Sequence, residues 1–307
     1  MITFFTTGKP FRGHDGIIQR NALKSWTLLH PDVEIILFGD EDGAAEVCAE
    51  YGLRHEPHVE RYESRLPYVN YMFARAQQIA RHDYVCYANC DIVLLKDFLA
   101  AFEKALAWRD RFLMVAQRWD TDVTKPIDFS NRDWAKDLRQ LAVTTGQLQL
   151  PHCIDFFVFP RGLYDDVPPL TVGYSYWDHW MVWKALSTGC PVLDASRFIV
   201  PVHQNHAYTT TPERSKGSNT EPLALRNFEL SGSGKHLRYI LDASHKLEIT
   251  GKIHRVFFRR QYFEWKISYK IQTIINVTHP IRRLLGLTKQ HIDRPLHGSK
   301  TPTSIQK

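Results

Sequence analysis

Tyr84-Val85-Cys86-Tyr87-Ala88-Asn89-Cys90-Asp91-Ile92-Val93-Leu94-Leu95 is an apolar, strand-forming run broken by one polar pair. On an extended backbone, residues i and i+2 point the same way, so Asn89 and Asp91 offer oxygen-bearing groups on one side. A carboxylate at the end of a buried strand is costly unless compensated, and a divalent cation is the usual compensation. The competing reading is a turn in which both side chains bond their own backbone. The surrounding sequence has to decide.

Upstream, apolar spacing predicts a strand over 2–6, a helix over 14–29 and a second strand over 33–38. A helix over 44–51 follows, with Gly52 positioned to end it, and another over 66–81 leads into the strand at Tyr84. Alternating strands and helices, with strands apolar on both faces, indicate a mainly parallel α/β sheet flanked by helices. Ligands of such sheets lie beyond the carboxyl ends of the strands, where Thr6, Asp40 and Asp91 fall.

Downstream, Asp97 is placed to cap a helix reaching Trp108, and a strand is expected over 112–116. Residues 119–150 are polar and weakly periodic, which suggests a functional excursion or lid. Strand character returns over 154–159 with Asp155 inside it. An aromatic helix over 177–186 carries Asp178 and His179 in its first turn, and Gly189 ends it. A last strand over 198–202 delivers His203-Gln204-Asn205-His206.

The five cysteines are scattered and mostly lie in apolar runs, as expected of core residues in a reducing compartment. Cys86 and Cys90 lack a second pair, so a zinc site is not expected. No apolar stretch is long enough to span a bilayer and the N-terminus has no basic leader, which together suggest a cytoplasmic protein. The charge is uneven. Residues 252–289 hold nine Lys/Arg against Glu264 alone, whereas 1–251 carry a net −4. The basic character thus belongs to the tail, and a nucleic-acid partner is not implied. Ile253, Val256, Phe257, Phe263, Ile267, Ile271 and Ile274 fall near one helical face among these cations, the pattern of a helix lying on an anionic membrane surface. Packing of the same face on the body is the alternative. The expected organisation is a catalytic domain over 1–210, a connecting segment over 211–251 and a basic helical tail over 252–307.

Three polar intrusions into apolar segments call for chemistry: Asn89/Asp91, Asp155 with Asp178/His179, and His203/His206. Each has a plainer reading. Asp155 can be a satisfied buried carboxylate, Asp178 a favourable charge at a helix N-terminus, and either histidine a core residue. Trp177, Trp180 and Trp183 read as core packing before they read as a sugar platform.

Taken in order, Gln19 to Trp26, Glu34 to Asp40, Tyr87 to Ile92, Asp155 to Arg161, Trp177 to Trp180 and His203 to His206 resemble the GT-A nucleotide-diphospho-sugar transferase superfamily. The resemblance is greatest to a glycosyltransferase-like family of bacteria and plants, and spans roughly residues 1–210. It implies a metal-dependent glycosyltransferase that moves a sugar from a nucleotide-diphosphate sugar, most simply a UDP-sugar, to a glycan or lipid-linked hydroxyl. Asn89 and Asp91 then stand at the metal-binding DxD position, with Asn89 a departure that leaves Asp91 the main ligand of Mn²⁺ or Mg²⁺. His203 resembles the histidine completing that site, with His206 its rival. Asp178 or Asp155 resembles the acceptor-side carboxylate, and Thr6, Thr7, Asp40 and Asn70 become nucleotide contacts. The tail suits a protein held on the inner face of a membrane. A nucleotidyltransferase fits less well, because 6–16 lack a compact Gly-x-Gly phosphate loop. A binding module without catalysis is the other alternative.

Overall fold

Strand β1 (Ile2–Thr7) alternates Phe4 and Phe5 to opposite faces of the sheet, and both rings are fully buried. That alternation requires apolar cover on each side. The computed structural model, which describes residues 1–63, 65–206 and 221–256, supplies it with helices on both faces.

On one face lie α1 (Gly13–Thr27) and α2 (Ala44–Tyr51), which follow β1 and β2 (Glu34–Phe38), and α4 (Lys96–Trp108). Trp26, Val47, Phe98 and Phe102 from these helices pack with Phe4. On the other face lie α3 (Val69–Ile79) and α6 (Trp177–Ser187), whose Phe73, Met181 and Val182 pack with Phe5. The expected helix over 66–81 begins three residues late. Leu66 and Pro67 are instead strand β5, paired in a hairpin with β4 (Arg61–Tyr62).

The remaining strands of the main sheet are β3 (Arg54–Glu56), β6 (Tyr84–Ala88), β8 (Leu113–Val115), β11 (Phe156–Pro160), β12 (Val192–Asp194), β14 (His245–Leu247) and β15 (Ile253–Arg255). Among the described residues their order is β15-β14-β12-β8-β11-β6-β1-β2-β3. The half β3-β2-β1-β6 is parallel throughout, and so is β8-β12-β14. Between the halves β11 runs antiparallel to both neighbours, and β15 is antiparallel at the edge. The sheet is mainly parallel, as expected; the reversed direction of β11 leaves no trace in apolar periodicity.

A second sheet, β10-β9-β13-β7, is built from very short strands: β7 (Ile92–Val93), β9 (Trp119–Thr121), β10 (Gln147–Leu148) and β13 (Val202–Gln204). Its own core joins Val93, Val200 and Val202 to Leu138 and Ala142 of α5 (Trp134–Thr145). The polar excursion over 119–150 is therefore largely this sheet and its helix. Asp97 does not cap α4; Leu95 does, and the Asp97 carboxylate accepts the Val200 N–H at 3.1 Å while pairing with Arg139.

The predicted strand over 198–202 is β13, shifted to Val202–Gln204, and two strands follow it. The segment read as a connector contributes helix α7 (Pro222–Leu230), a 3₁₀ turn at Ile240–Asp242 and β14. Ile253 lies in β15, packed on the core, rather than on a helix. The rest of the expected tail, from 257 on, lies outside the described residues. No helix among the described residues is long and apolar enough to cross a membrane.

Candidate active site

The buried Gln19, Asn21 and Ser25 of α1, with the Trp26 indole N–H, bond the 89–95 segment, β13 and the loop before the helix, which explains why this helix is less apolar than its burial demands. Trp26 Nε1 donates to the Ile92 carbonyl at 2.9 Å, and the Leu94 N–H donates to Ser25 Oγ at 3.2 Å. Asn21 Nδ2 donates to Gln204 Oε1 at 2.8 Å, and Gln204 Nε2 in turn donates to the carbonyls of Ile18 and Asp91. Gln19 grips the backbone of Lys9 from both sides, and a Cβ on Gly8 would sit 2.8 Å from its Oε1. Buried polar groups satisfied this completely fix a single arrangement. They bring the end of β6, the loop after β1 and β13 to one edge.

That edge borders a cleft of about 750 Å³, lined among others by Thr7, Glu41, Asn89, Asp91, Arg118, Asp155, Asp178, His203 and His206. It lies at the carboxyl ends of β1, β2 and β6, as the parallel arrangement requires.

Asp91, His203 and His206 converge here, with ligand-capable atoms within 4.8 Å of one another. His206 Nε2 is 3.0 Å from Asp91 Oδ2, and His203 Nε2 is 3.6 Å from the same oxygen. The other oxygen, Asp91 Oδ1, is buried with no hydrogen-bond partner among the described residues. Burial alone would raise the Asp91 pKa, but the two imidazoles outweigh it and hold the carboxyl far below its usual range. Burial likewise opposes charge on His203, yet Asp91 and Asp120 lift it to about 9. A buried, unpartnered carboxylate oxygen beside two imidazoles fits a divalent cation that accepts mixed oxygen and nitrogen donors. The two histidines that competed for one role in the sequence stand together.

Asn89 faces away from this trio. Its Nδ2 donates to Asp155 Oδ1 at 2.6 Å, and its Oδ1 accepts from the Tyr87 hydroxyl at 3.0 Å. Asp155 also takes Arg118 Nη1 on both oxygens, at 2.8 and 2.9 Å. Asp155 is thus held by Arg118 and Asn89, whereas its expected catalytic role called for a carboxylate open to the acceptor. Removing it would take one of the two carboxylates that hold Arg118, the other being Asp120, and would leave the Asn89 amide without this acceptor. Asp155→Ala is expected to cost about 3–5 kcal/mol of stability, read as a lower urea midpoint with an unchanged slope.

Asp178 is the freer carboxylate. It sits in the first turn of α6, where Oδ1 accepts the His179 N–H at 2.9 Å. Burial raises its pKa, and the nearby His179 offsets this only in part. The preceding Tyr176 holds a left-handed φ of 87°, a conformation costing about 1–3 kcal/mol for such a residue. This turn brings Trp177 and Asp178 to the cleft, while Trp177 packs on Tyr87 with ring centroids 5.1 Å apart.

The expected nucleotide contacts are only partly placed at the cleft. Thr7 lines it, with its buried hydroxyl unpartnered among the described residues. Thr6 is fully buried beside it and outside the lining. Asp40 points to solvent and pairs with Arg61 at 3.2 Å; its neighbour Glu41 is the residue that lines the cleft, also held by Arg61, at 2.8 Å. Strand β2 ends at Phe38 and the left-handed Gly39 redirects the chain beyond it, so that Glu41 rather than Asp40 lines the cleft. Asn70 lies in the first turn of α3, away from the lining. Arg118 and Asp120 were not singled out by sequence because they sit in a polar stretch without periodicity.

No family model matches this sequence, and no curated protein matches it. Among solved structures it is similar to glucosyl-3-phosphoglycerate synthase from Mycobacterium tuberculosis in complex with Mg²⁺ and UDP. That likeness has 13% identity and a TM-score of 0.41, covering 67% of this chain and 72% of that one. It is also similar to S. aureus TarS 1–349 in complex with UDP-GlcNAc, with 12% identity and a TM-score of 0.46, covering 70% of this chain and 61% of that one. Likenesses this faint transfer no activity. The chain's own topology is the better guide: a parallel half-sheet with an acid just past β6, and β11 reversed beside it. The fold is a mainly parallel α/β sheet flanked by helices. Its cleft gathers Thr7, Glu41, Asp91, His203, His206 and Asp178 in one place.

Proposed function

We propose that this protein transfers a sugar from a nucleotide-diphosphate sugar, in the first instance a UDP-sugar, to a hydroxyl of a glycan or lipid-linked glycan. The observation that carries the reading is the Asp91–His203–His206 cluster with its unpartnered oxygen, set in a large cleft at the carboxyl edge of parallel strands. These three side chains would hold Mn²⁺ or Mg²⁺. A cation held by them would supply positive charge for a diphosphate leaving group.

The chain's own groups supply the rest. The loop of Thr7, Gly8 and Lys9, braced by Gln19, presents backbone and side-chain donors to the nucleotide half, with Glu41 across from it. On the acceptor side Asp178 takes the proton of the incoming hydroxyl. Burial raises its pKa, which brings it closer to the operating range of a base. The Asp155–Arg118 pair shapes the wall between the two sides. The basic tail would keep the enzyme at the inner face of a membrane, near a lipid-linked acceptor.

A thermal-shift screen of UDP-, GDP- and dTDP-sugars with and without Mn²⁺ tests the reading. A cation-dependent rise in melting temperature with one nucleotide class is expected, followed by release of that nucleoside diphosphate on turnover. Consumption of NTP and sugar phosphate with release of pyrophosphate would show a nucleotidyltransferase instead.

A further inference from the structure

A continuous line of buried polar contacts leads from the acceptor side of the cleft to the cation cluster. Asn89 donates to Asp155, and Asp155 is held by Arg118. Arg118 Nε donates to Asp120 Oδ1 at 2.8 Å, and that same oxygen lies 3.1 Å from His203 Nδ1. This last contact is close without meeting the hydrogen-bonding angle, and it sets a carboxylate oxygen beside Nδ1. On the far side of the ring, His203 Nε2 faces Asp91. The backbone imposes the pairing: β9 and β13 are parallel partners with Asp120 directly opposite His203. His203 is almost completely buried, with the Asp120 side chain 19% exposed.

We infer that Asp120 is a positioning residue of the cation site. It draws the His203 Nδ1–H toward itself and so leaves Nε2 with its lone pair on Asp91's side as the ligand nitrogen. An imidazole has two distinct nitrogens, and the partner of one decides which is free to bind a metal. Arg118 keeps Asp120 in place by holding it from the other side. Because Arg118 is anchored on Asp155, the acceptor-side wall and the ligand histidine share one rigid support. No second carboxylate contacts His203 Nδ1 among the described residues, so the tautomer has this one determinant. The inference rests on the cation reading of Asp91, His203 and His206.

The test uses the full chain and Mn²⁺ alone, by calorimetry, for the wild type and for Asp120→Asn, Asp120→Ser and Asp91→Ala. Asp91→Ala is expected to lose binding. Asp120→Asn and Asp120→Ser are expected to weaken it by about 10–100-fold, as removal of an outer carboxylate partner typically does. A second readout needs no substitution at Asp120. In ¹⁵N-histidine spectra of the Mg²⁺-loaded wild type, the His203 signal, assigned by its loss in His203→Gln, should be that of the Nδ1–H tautomer. In Asp120→Asn it should shift to a mixture. Wild-type protein that takes up no Mn²⁺ would overturn the cation reading and this inference together. Binding lost in Asp91→Ala but intact in both Asp120 variants would overturn this inference and leave the cation reading standing. An Nε2–H tautomer in the loaded wild type would do the same.

Discussion

Asp91→Ala is expected to abolish cation-dependent binding of a nucleoside diphosphate while leaving the fold in place. The carboxylate contributes one oxygen to a contact with His203 and His206 and keeps the other unpartnered. Its loss removes the only anionic member of the converging trio, and two imidazoles cannot by themselves offset a cation's lost hydration. The effect on Mn²⁺ affinity should therefore exceed the ~10–100-fold typical of losing an outer partner. The backbone of residue 91 stays anchored by Gln204, which is why the fold should survive. Calorimetry of UDP with and without Mn²⁺ checks this. If the cation enhances UDP binding equally in the variant, the cluster is not the metal site.

The second large effect is expected of Asp178→Asn. Turnover should fall by about 10²–10⁴, the usual contribution of a positioned base, while donor affinity stays near that of the wild type. Two pH signatures accompany it. Burial raises the Asp178 pKa, so the wild-type rate should fall as pH drops through that raised value, and the limb should vanish in the variant. Stability moves the other way. Between the ordinary carboxylate pKa and the raised one, the native state binds more protons than the unfolded chain, so this residue's contribution to stability declines as pH rises through that window. Replacing it with a neutral isostere removes the penalty at neutral pH, and Asp178→Asn should melt no lower than the wild type. A collapse of donor binding would instead place Asp178 on the nucleotide side.

Much of the arrangement was legible because long elements write their period into the sequence. The first two strands, α1, α2, α6 and the β6–Asp91 junction fall where apolar spacing puts them, and the late histidines arrive beside Asp91. What escaped has physical reasons. Strands β7, β9, β10 and β13 have two or three residues each, too few for an alternation to be seen. They are held by contacts distant in sequence. The direction of β11 is set by its partners rather than by its residues. Glu41 displaced Asp40 because a left-handed glycine turned the chain between strand end and cleft. The partner of Asp155 escaped as well, because Arg118 lies thirty-seven positions away and bonds both its oxygens.

The contact of Asp91 with His206 spans 115 residues, and this separation bears on how the protein is made. During synthesis at ~5–20 residues per second, Asp91 emerges roughly 6–23 seconds before the histidine that meets it. In that interval the nascent chain already contains β1, β2, β3 and β6, so the first half-sheet has all its parallel partners. It has no imidazole to set against the carboxylate. A shortened product ending before His203 would carry the strand end and the floor of the cleft, yet lack both nitrogen donors. The late arrival of these two side chains would make cation capture wait for synthesis past residue 206, and a product ending before His203 should be inert toward Mn²⁺.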